Sequence, residues 1–318
     1  ADIRNILDFE EAFAGARVVR LEQNYRSTDV ILAAANAVIS ENLHRKAKTL
    51  RTDRMGGERI TLAATLGETD EARWIGDQIE DRLASDPVLT YNGVAILYRT
   101  NAQSRALEDA FRRRGIPYQI VGGVRFYERR EIQDILAYLR LISNPLNTVA
   151  FERIVNYPRR GIGKVTIERL VRWAQVEGVS LLEAGARAKE ISEIPAGGVR
   201  GLTLFSLLIQ RYSALASQMQ VGELLESLVE ELGLFRHLQE EGPDGGDRVE
   251  NVEELIAAAH EYNVDLMEGP GDDVLDHFTE LDLFLQQVAL VADIDRHDPN
   301  AEAVTLMTLH SAKGLEFP

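Results

Sequence analysis

Short apolar runs alternate with amphipathic stretches through about the first 130 residues. The compact runs Val94 to Tyr98 and Tyr118 to Val121 predict buried β-strands, and apolar positions at helical spacing predict helices over 69–84 and 104–114. Strands that alternate with helices are typical of a mostly parallel sheet covered by helices.

The N-terminal stretch extends this pattern. Further strands are predicted over 17–21 and 59–64, and helices over 1–13 and 30–42, the latter introduced by the N-cap candidates Ser27 to Asp29. Residues 23–26 therefore lie at the C-terminal end of a predicted strand, where α/β proteins usually bind ligands.

The pattern changes near Glu131 and becomes helical up to about Arg296. The clearest helices are predicted over 223–232, 250–261 and 274–291, and a buried strand is predicted again over 304–308. The expected fold is an α/β domain interrupted by a mostly α-helical insertion. The predicted organisation is 1–145 as the first α/β part, 146–300 as the helical domain and 301–318 as the return to the α/β part.

Length and composition fit a soluble protein of two domains. The chain has 318 residues, of which 45% are hydrophobic and 27% charged, and it contains no cysteine. Disulfides and thiolate zinc sites are thereby excluded. The sequence shows neither a signal peptide nor an apolar run of about 18 residues, which predicts a cytoplasmic protein without a membrane partner.

The charge is distributed unevenly. The formal net charge is −16, yet residues 1–180 hold 27 Lys and Arg against 24 Asp and Glu, whereas residues 181–318 hold 8 against 27. A surface that binds a polyanion is expected in the first 180 residues. The acidic remainder is either a solvated face or a surface for a protein partner.

Two segments carry candidate chemistry in their own right. Tyr25 and Arg26 pair a planar ring with a guanidinium, which suits a base and a phosphate; the alternative is a polar corner with a half-buried Tyr. Gly161 and Gly163 lie among Arg159, Arg160 and Lys164 before a predicted helix over 166–175. Exposed amides and cations there suit the backbone of a DNA duplex, whereas a lone Gly-x-Gly is usually a tight turn.

Two other groupings leave the alternatives open. Phe126 and Tyr127 stand between Arg125 and Arg129-Arg130, which suits either nucleic-acid stacking or interdomain packing. The acidic groups Asp272-Asp273, Asp276 and 293–295 lack metal-ligand spacing and are expected to be a solvated face.

Four segments taken in order resemble one family. Leu21 to Thr28, Tyr98 to Arg105, Gly122 to Glu128 and Val304 to Pro318 are similar to motifs in the C-terminal half of UvrD/PcrA/Rep-type superfamily 1 DNA helicases. The resemblance runs through essentially the whole chain. It implies a RecA-like domain of the P-loop NTPase type, called 2A, that is interrupted by a helical 2B domain.

The resemblance also implies residue roles. Tyr25 stacks on the adenine of ATP, Arg26 contacts the γ-phosphate as the catalytic group, and Glu316 holds the ribose. Such an arginine accelerates phosphoryl transfer in related NTPases by about a thousandfold or more. The implied cofactors are ATP and Mg²⁺, in the parent protein rather than bound tightly to this chain.

The implied DNA contacts fall into three groups. Arg159 to Thr166 resembles a helix-hairpin-helix loop that binds the backbone of duplex DNA. For His310, the alternative is a hydrogen-bonded histidine in the core. The implied partner is a junction of single-stranded and duplex DNA. The residues are Tyr98, Arg99, Asn101 and Arg105; His310, Ser311 and Lys313; and Arg159, Arg160, Gly161, Ile162, Gly163, Lys164 and Thr166.

The sequence lacks a Gly-x-x-x-x-Gly-Lys-Ser/Thr phosphate loop, and Lys313 does not belong to one. The resemblance places that loop in a RecA-like domain 1A before residue 1. It predicts a segment of an ATP-dependent 3′-to-5′ helicase for repair or replication restart, associated with the nucleoid and unable to hydrolyse ATP alone. The alternative is a non-catalytic DNA-binding or protein-docking module.

Overall fold

The computed structural model describes residues 13, 17, 19–42, 48–262, 278–293 and 302–317. It divides into two units, Ala1–Leu66 and Gly67–Pro318. The helix predicted over 1–13 lies outside the described residues except for Phe13.

The described part of the first unit contains one helix. Helix α1 spans Asp29–Ser40, close to the predicted 30–42, and an isolated parallel bridge joins Gln23 to Arg51. The strand predicted over 59–64 is wrong, and the described residues of 17–21 form no strand either. Ile60 is 61% exposed and Leu62 is 96% exposed, so none of the residues that the structure describes forms a layer over these apolar side chains. A strand requires a hydrogen-bonding neighbour, which an apolar pattern alone does not provide.

The second unit contains a three-stranded parallel sheet. Strands β1 (Ala95–Tyr98), β2 (Tyr118–Val121) and β3 (Val304–Thr308) are arranged in the order β1-β3-β2. The strand predictions are confirmed, and β3, which comes last in the sequence, occupies the centre. Its residues 304–307 are buried, as a central strand of a parallel sheet requires.

One helix precedes β1 in the sequence, and a second lies between β1 and β2. Helix α2 (Glu68–Ser85) and helix α3 (Ser104–Arg114) pack against each other and against the sheet. Helix α3 ends at Gly115, whose φ of +68° is the left-handed conformation that commonly terminates a helix. Both helices agree with the predicted 69–84 and 104–114.

A helical region separates β2 from β3, as predicted. It has its own large hydrophobic core, which begins at Phe126 and includes Ile132 to Ile142 of α4. The division of the chain at residue 145 stays a prediction, with α4 packed in the helical core. The helices are α4 (Arg130–Ser143), α5 (Thr148–Ile154), α6 (Lys164–Glu177), α7 (Leu181–Ala186), α8 (Ala196–Leu215), α9 (Val221–Glu231), α10 (Leu234–Glu240), α11 (Gly245–Glu261) and α12 (Glu280–Asp293).

Within the described ranges, none of the helices combines the length and the apolar character that crossing a bilayer demands.

Candidate nucleotide and nucleic-acid interfaces

A hydrogen-bonded corner presents Tyr25 and Arg26 in the first unit. Oδ1 of Asn24 accepts hydrogen bonds from the backbone N–H groups of Arg26 at 2.9 Å and Ser27 at 2.8 Å. A short side chain that caps the backbone in this way fixes a tight turn. Asp29 Oδ1 accepts a further bond, of 2.7 Å, from the N–H of Gly56.

Tyr25 is 81% exposed at this corner, and Arg26 is exposed beside it. The alternative of a half-buried tyrosine is therefore wrong. Glu316, the third predicted nucleotide contact, is exposed in the second unit. Tyr25 and Arg26 thus belong to the first unit and Glu316 to the second.

The carboxyl ends of β1 and β3 bring two predicted DNA contacts together. Nη1 of Arg99 lies 3.4 Å from Nδ1 of His310, although the two residues are 211 positions apart. Both are exposed. The alternative of a core histidine for His310 is therefore wrong. Gln103 Oε1 accepts a bond of 2.8 Å from the Arg99 N–H and fixes the turn after β1.

Ser311 and Asn101 lie at the same edge. Thr308 Oγ1 and Ser311 Oγ are 3.0 Å apart, which orders the turn after β3, and Lys313 is exposed in that turn. A Cβ on Gly122 would lie 2.8 Å from Ser311 Oγ, and one on Gly123 would lie 3.7 Å from Asn101 Oδ1. The edge thus combines the ends of all three strands.

Sequence reasoning did not single out Gly122 and Gly123 as parts of a site. Gly122 has a φ of +75° and approaches Ser311 too closely for a side chain. The available signal was a pair of glycines directly after a strand, at the end where parallel sheets bind ligands.

Tyr98 and Arg105 are two predicted DNA contacts that the structure turns inward. Tyr98 is 6% exposed in the core around the sheet, and burial raises the pKa of its phenol to about 12. Arg105 is also buried and forms ion pairs with Glu68 at 2.7 Å, with Asp109 at 3.3 Å and with Glu254. Their positions favour packing and charge pairing, and their contact with DNA stays a prediction.

The loop before α6 has the geometry of a backbone-exposing turn. Gly161 has a φ of +74°, and Gly163 is the N-cap residue of α6. Asn156 Oδ1 accepts bonds from the N–H groups of Arg160 at 2.8 Å and Ile162 at 3.1 Å, which holds the loop in shape. A Cβ added at either glycine would meet nothing within 4 Å, so open space lies in front of both.

The cations of this loop divide into two groups. Arg159 and Lys164 are exposed. Arg160 turns inward, where its guanidinium donates to the carbonyl oxygens of Ile154 at 3.1 Å and Tyr157 at 2.9 Å and lies 5.1 Å from the centre of the Phe205 ring. Arg160 therefore stabilises the loop from its buried side.

Ile162 and Thr166 are also buried, at 1% and 7% exposure. Gly201 and Gly198 of α8 lie against them, with ideal Cβ positions 3.0 Å from Ile162 and 3.1 Å from Thr166. The outward surface of the predicted duplex-binding loop is consequently formed by Arg159, Lys164 and the two glycines.

The structure also bears on the aromatic pair Phe126 and Tyr127 and on the acidic groups. Phe126 and Tyr127 are buried with their rings edge to face at 5.1 Å, which favours packing. Within the described ranges, no group of His, Asp or Glu is placed to hold a metal ion. Asp272, Asp273, Asp276 and Asp295 lie outside those ranges.

Comparison with known proteins identifies the class. The family model for the UvrD-like helicase C-terminal domain matches residues 19–318, so the chain belongs to that family. It is a mostly helical member with a small parallel sheet.

Individual relatives fit this assignment. The chain is 43% identical to ATP-dependent DNA helicase UvrD1 of Mycobacterium tuberculosis over 326 residues. It is 39% identical to ATP-dependent DNA helicase PcrA of Bacillus subtilis over 325 residues and 40% identical to PcrA of Leuconostoc citreum over 319. Each alignment covers 100% of this chain and 42% of the relative.

Proposed function

We propose that this chain is part of an ATP-dependent DNA helicase that moves 3′ to 5′ on single-stranded DNA, in the cytoplasm at the nucleoid. The observation that carries the proposal is the meeting of Arg99 and His310 at one end of the sheet. These residues come from two separate motifs, so their convergence, together with the family, supports a shared site.

The nucleotide role rests on Tyr25 and Arg26. An exposed tyrosine on a hydrogen-bonded turn offers a flat face for adenine, and an exposed guanidinium suits a γ-phosphate. When ATP and Mg²⁺ are bound, they supply the reactive phosphoryl group and neutralise its charge. Glu316 would accept hydrogen bonds from ribose hydroxyls. The RecA-like fold of the α/β part belongs to this proposal.

The single-strand contact lies at the carboxyl edge of the sheet. Arg99, Asn101, His310, Ser311 and Lys313 offer donors to phosphate and sugar oxygens, which fix a strand without reading its bases. The site would therefore depend strongly on salt and weakly on sequence.

The duplex contact lies at the loop before α6. Arg159 and Lys164 supply charge to a phosphate, while Gly161 and Gly163 allow the backbone to approach it. In the whole protein, duplex DNA bound at this loop would lie ahead of the single-stranded DNA that moves along the carboxyl edge of the sheet.

Binding to a 3′-tailed duplex tests the duplex site in this chain. Gly163→Ala should weaken binding to the duplex portion without unfolding the protein, because Gly163 has an ordinary φ of −85° and open space around it. Gly246→Ala is the matched control, since a Cβ there also meets nothing within 4 Å. Equal affinity of the two variants and the unmodified chain would argue against the loop as the duplex site.

The nucleotide role requires the longer protein that carries the phosphate loop. There, Arg26→Ala should abolish DNA-stimulated ATP hydrolysis and leave DNA binding largely intact. ATP hydrolysis by the present chain alone would contradict the proposed division of the site.

A non-catalytic docking module is the second candidate function. The excess of 27 Asp and Glu over 8 Lys and Arg after residue 180 favours it, because an acidic surface suits a basic protein partner. If Gly163→Ala and Arg99→Ala both bind the junction as tightly as the unmodified chain does, that result would favour this function.

A further inference from the structure

A groove of about 760 Å³ opens beside the loop before α6. Its lining comes from the loop, from one face of α8 and from the end of α9. The residues are Pro158, Arg159, Arg160, Gly197, Arg200, Gly201, Leu204, Phe205, Leu207, Leu208, Arg211, Glu231 and Leu232.

One helical stripe of α8 forms the wall of this groove. Arg200, Leu204, Leu207 and Arg211 are spaced by four, three and four residues, which places them on one face of the helix. All four are exposed. The stripe therefore has an arginine at each end and two leucines between.

The two arginines differ in their partners. Arg211 forms an ion pair with Glu231, and its guanidinium carbon lies 5.3 Å from the centre of the Tyr212 ring. Arg200 has no ion pair or hydrogen bond through its side chain within the described ranges, and neither have Arg159 and Lys164. The uncompensated positive charge of the groove is thus concentrated at the end where Arg200 and Arg159 lie.

The backbone beside Arg200 touches the loop directly. An ideal Cβ on Gly201 would lie 2.7 Å from the carbonyl oxygen of Arg160 and 3.0 Å from Ile162. Only glycine permits this approach, which fixes the first turns of α8 against the loop. Arg200 is therefore held at the loop by the packing of its neighbour.

We infer that Arg200 is a further phosphate-binding residue of the duplex site, and that with Arg159 it extends the contact from the loop into the groove along α8. This inference rests on the proposed duplex contact of the loop. A guanidinium without a protein partner in the described ranges, in the same groove as the exposed Arg159, suits the regularly spaced phosphates of one DNA strand.

An acidic peptide with apolar side chains is the competing occupant, because Leu204 and Leu207 are 56% and 53% exposed. The free cations favour DNA: they gather at the loop end of the groove, whereas Arg211, at the far end, is already neutralised by Glu231.

The test is fluorescence anisotropy of the 318-residue chain with a blunt duplex and with single-stranded DNA of equal length, at several KCl concentrations. Arg200→Ala should weaken duplex binding by about threefold or more and lower the slope of log K against log salt by about one. Binding to single-stranded DNA should change little. Arg200→Lys should restore most of the duplex affinity, because a point charge still reaches phosphate.

Arg211→Ala is the matched control, being the same substitution on the same helix and groove. It should have the smaller effect, because its charge is already paired. All these positions are exposed, and thermal melting verifies that the variants fold as the unmodified chain does.

Duplex affinity of Arg200→Ala equal to that of the unmodified chain overturns the inference. If Gly163→Ala still weakens duplex binding in that case, the proposed function stands. If the unmodified chain binds no duplex, the proposed duplex site fails and the inference fails with it.

Discussion

The Nη1 atom of Arg129 donates a 2.7 Å hydrogen bond to Oδ1 of Asn251, where the region around the sheet meets the helical region. The same guanidinium donates to Ser104 Oγ at 2.8 Å and to the carbonyl oxygen of Asn101 at 3.0 Å. Asn251 in turn donates to Glu131 Oε1 at 2.6 Å. A buried cation of this kind is tolerated only when its hydrogen-bonding capacity is filled.

Replacing Asn251 should therefore destabilise the fold. Asn251→Ala leaves the buried Arg129 and Glu131 each without one partner, and we expect the free energy of unfolding in urea to fall by about 2 kcal/mol. Asn251→Asp keeps the acceptor for Arg129 but sets a carboxylate against Glu131, so it should also lower the free energy of unfolding. A stability of Asn251→Ala equal to that of the unmodified protein would show that the network contributes nothing.

Tyr98 provides a test of packing against stacking. Its phenol is buried beside Ser104 without a hydrogen bond of ordinary geometry in the described part of the chain. Tyr98→Ala should lower the free energy of unfolding by about 3 to 5 kcal/mol by leaving a cavity, whereas Tyr98→Phe should be nearly neutral. A fully stable Tyr98→Ala protein with impaired DNA binding would instead support stacking.

The raised pKa of Tyr98 adds a dependence on alkaline pH. The ordinary value is 10.0 and the folded value is about 12, so between these pH values the unfolded chain releases the phenolic proton and the folded chain retains it. Stability contributed by the neutral phenol is complete below pH 10 and is lost as the pH rises through the folded value. Unfolding measured from pH 9 to 12 should show a shallower decline for Tyr98→Phe than for the unmodified protein.

Arg99 and His310 should affect DNA without affecting stability. Both are exposed, so Arg99→Ala and His310→Ala should unfold at the same urea concentration as the unmodified chain. Arg99→Ala should weaken binding to single-stranded DNA and lower its salt slope by about one. Arg113→Ala, an exposed arginine on α3, is the control; an equal loss in that variant would indicate a general charge effect.

Alanine substitutions at the two loop glycines should differ in their effect on the stability of the protein. Gly161 has a φ of +74°, so Gly161→Ala should cost about 1 kcal/mol from backbone strain, although its Cβ would meet no atom within 4 Å. Gly163, at −85°, should accept alanine at little cost. Equal melting temperatures for the two variants would contradict the left-handed turn.

Much of the local structure could be predicted from sequence. Strands Tyr118–Val121 and Val304–Thr308 and helix Ser104–Arg114 have the predicted bounds, because a compact β-prone run, or apolar spacing ended by Gly115, is a local signal. The strand predicted over 59–64 failed because pairing depends on a neighbour elsewhere in the chain.

By itself, the sequence determined the family motifs, the alternation of strands and helices and the position of the helical region between β2 and β3. Only the tertiary structure decided which functional candidates face outward. Arg99 and Arg159 are exposed, whereas Arg105 and Arg160, of the same residue type in the same motifs, are turned inward. The physical reason is that an arginine is buried where carboxylates or carbonyl oxygens from distant segments meet its guanidinium, and those partners are brought to it only by the fold.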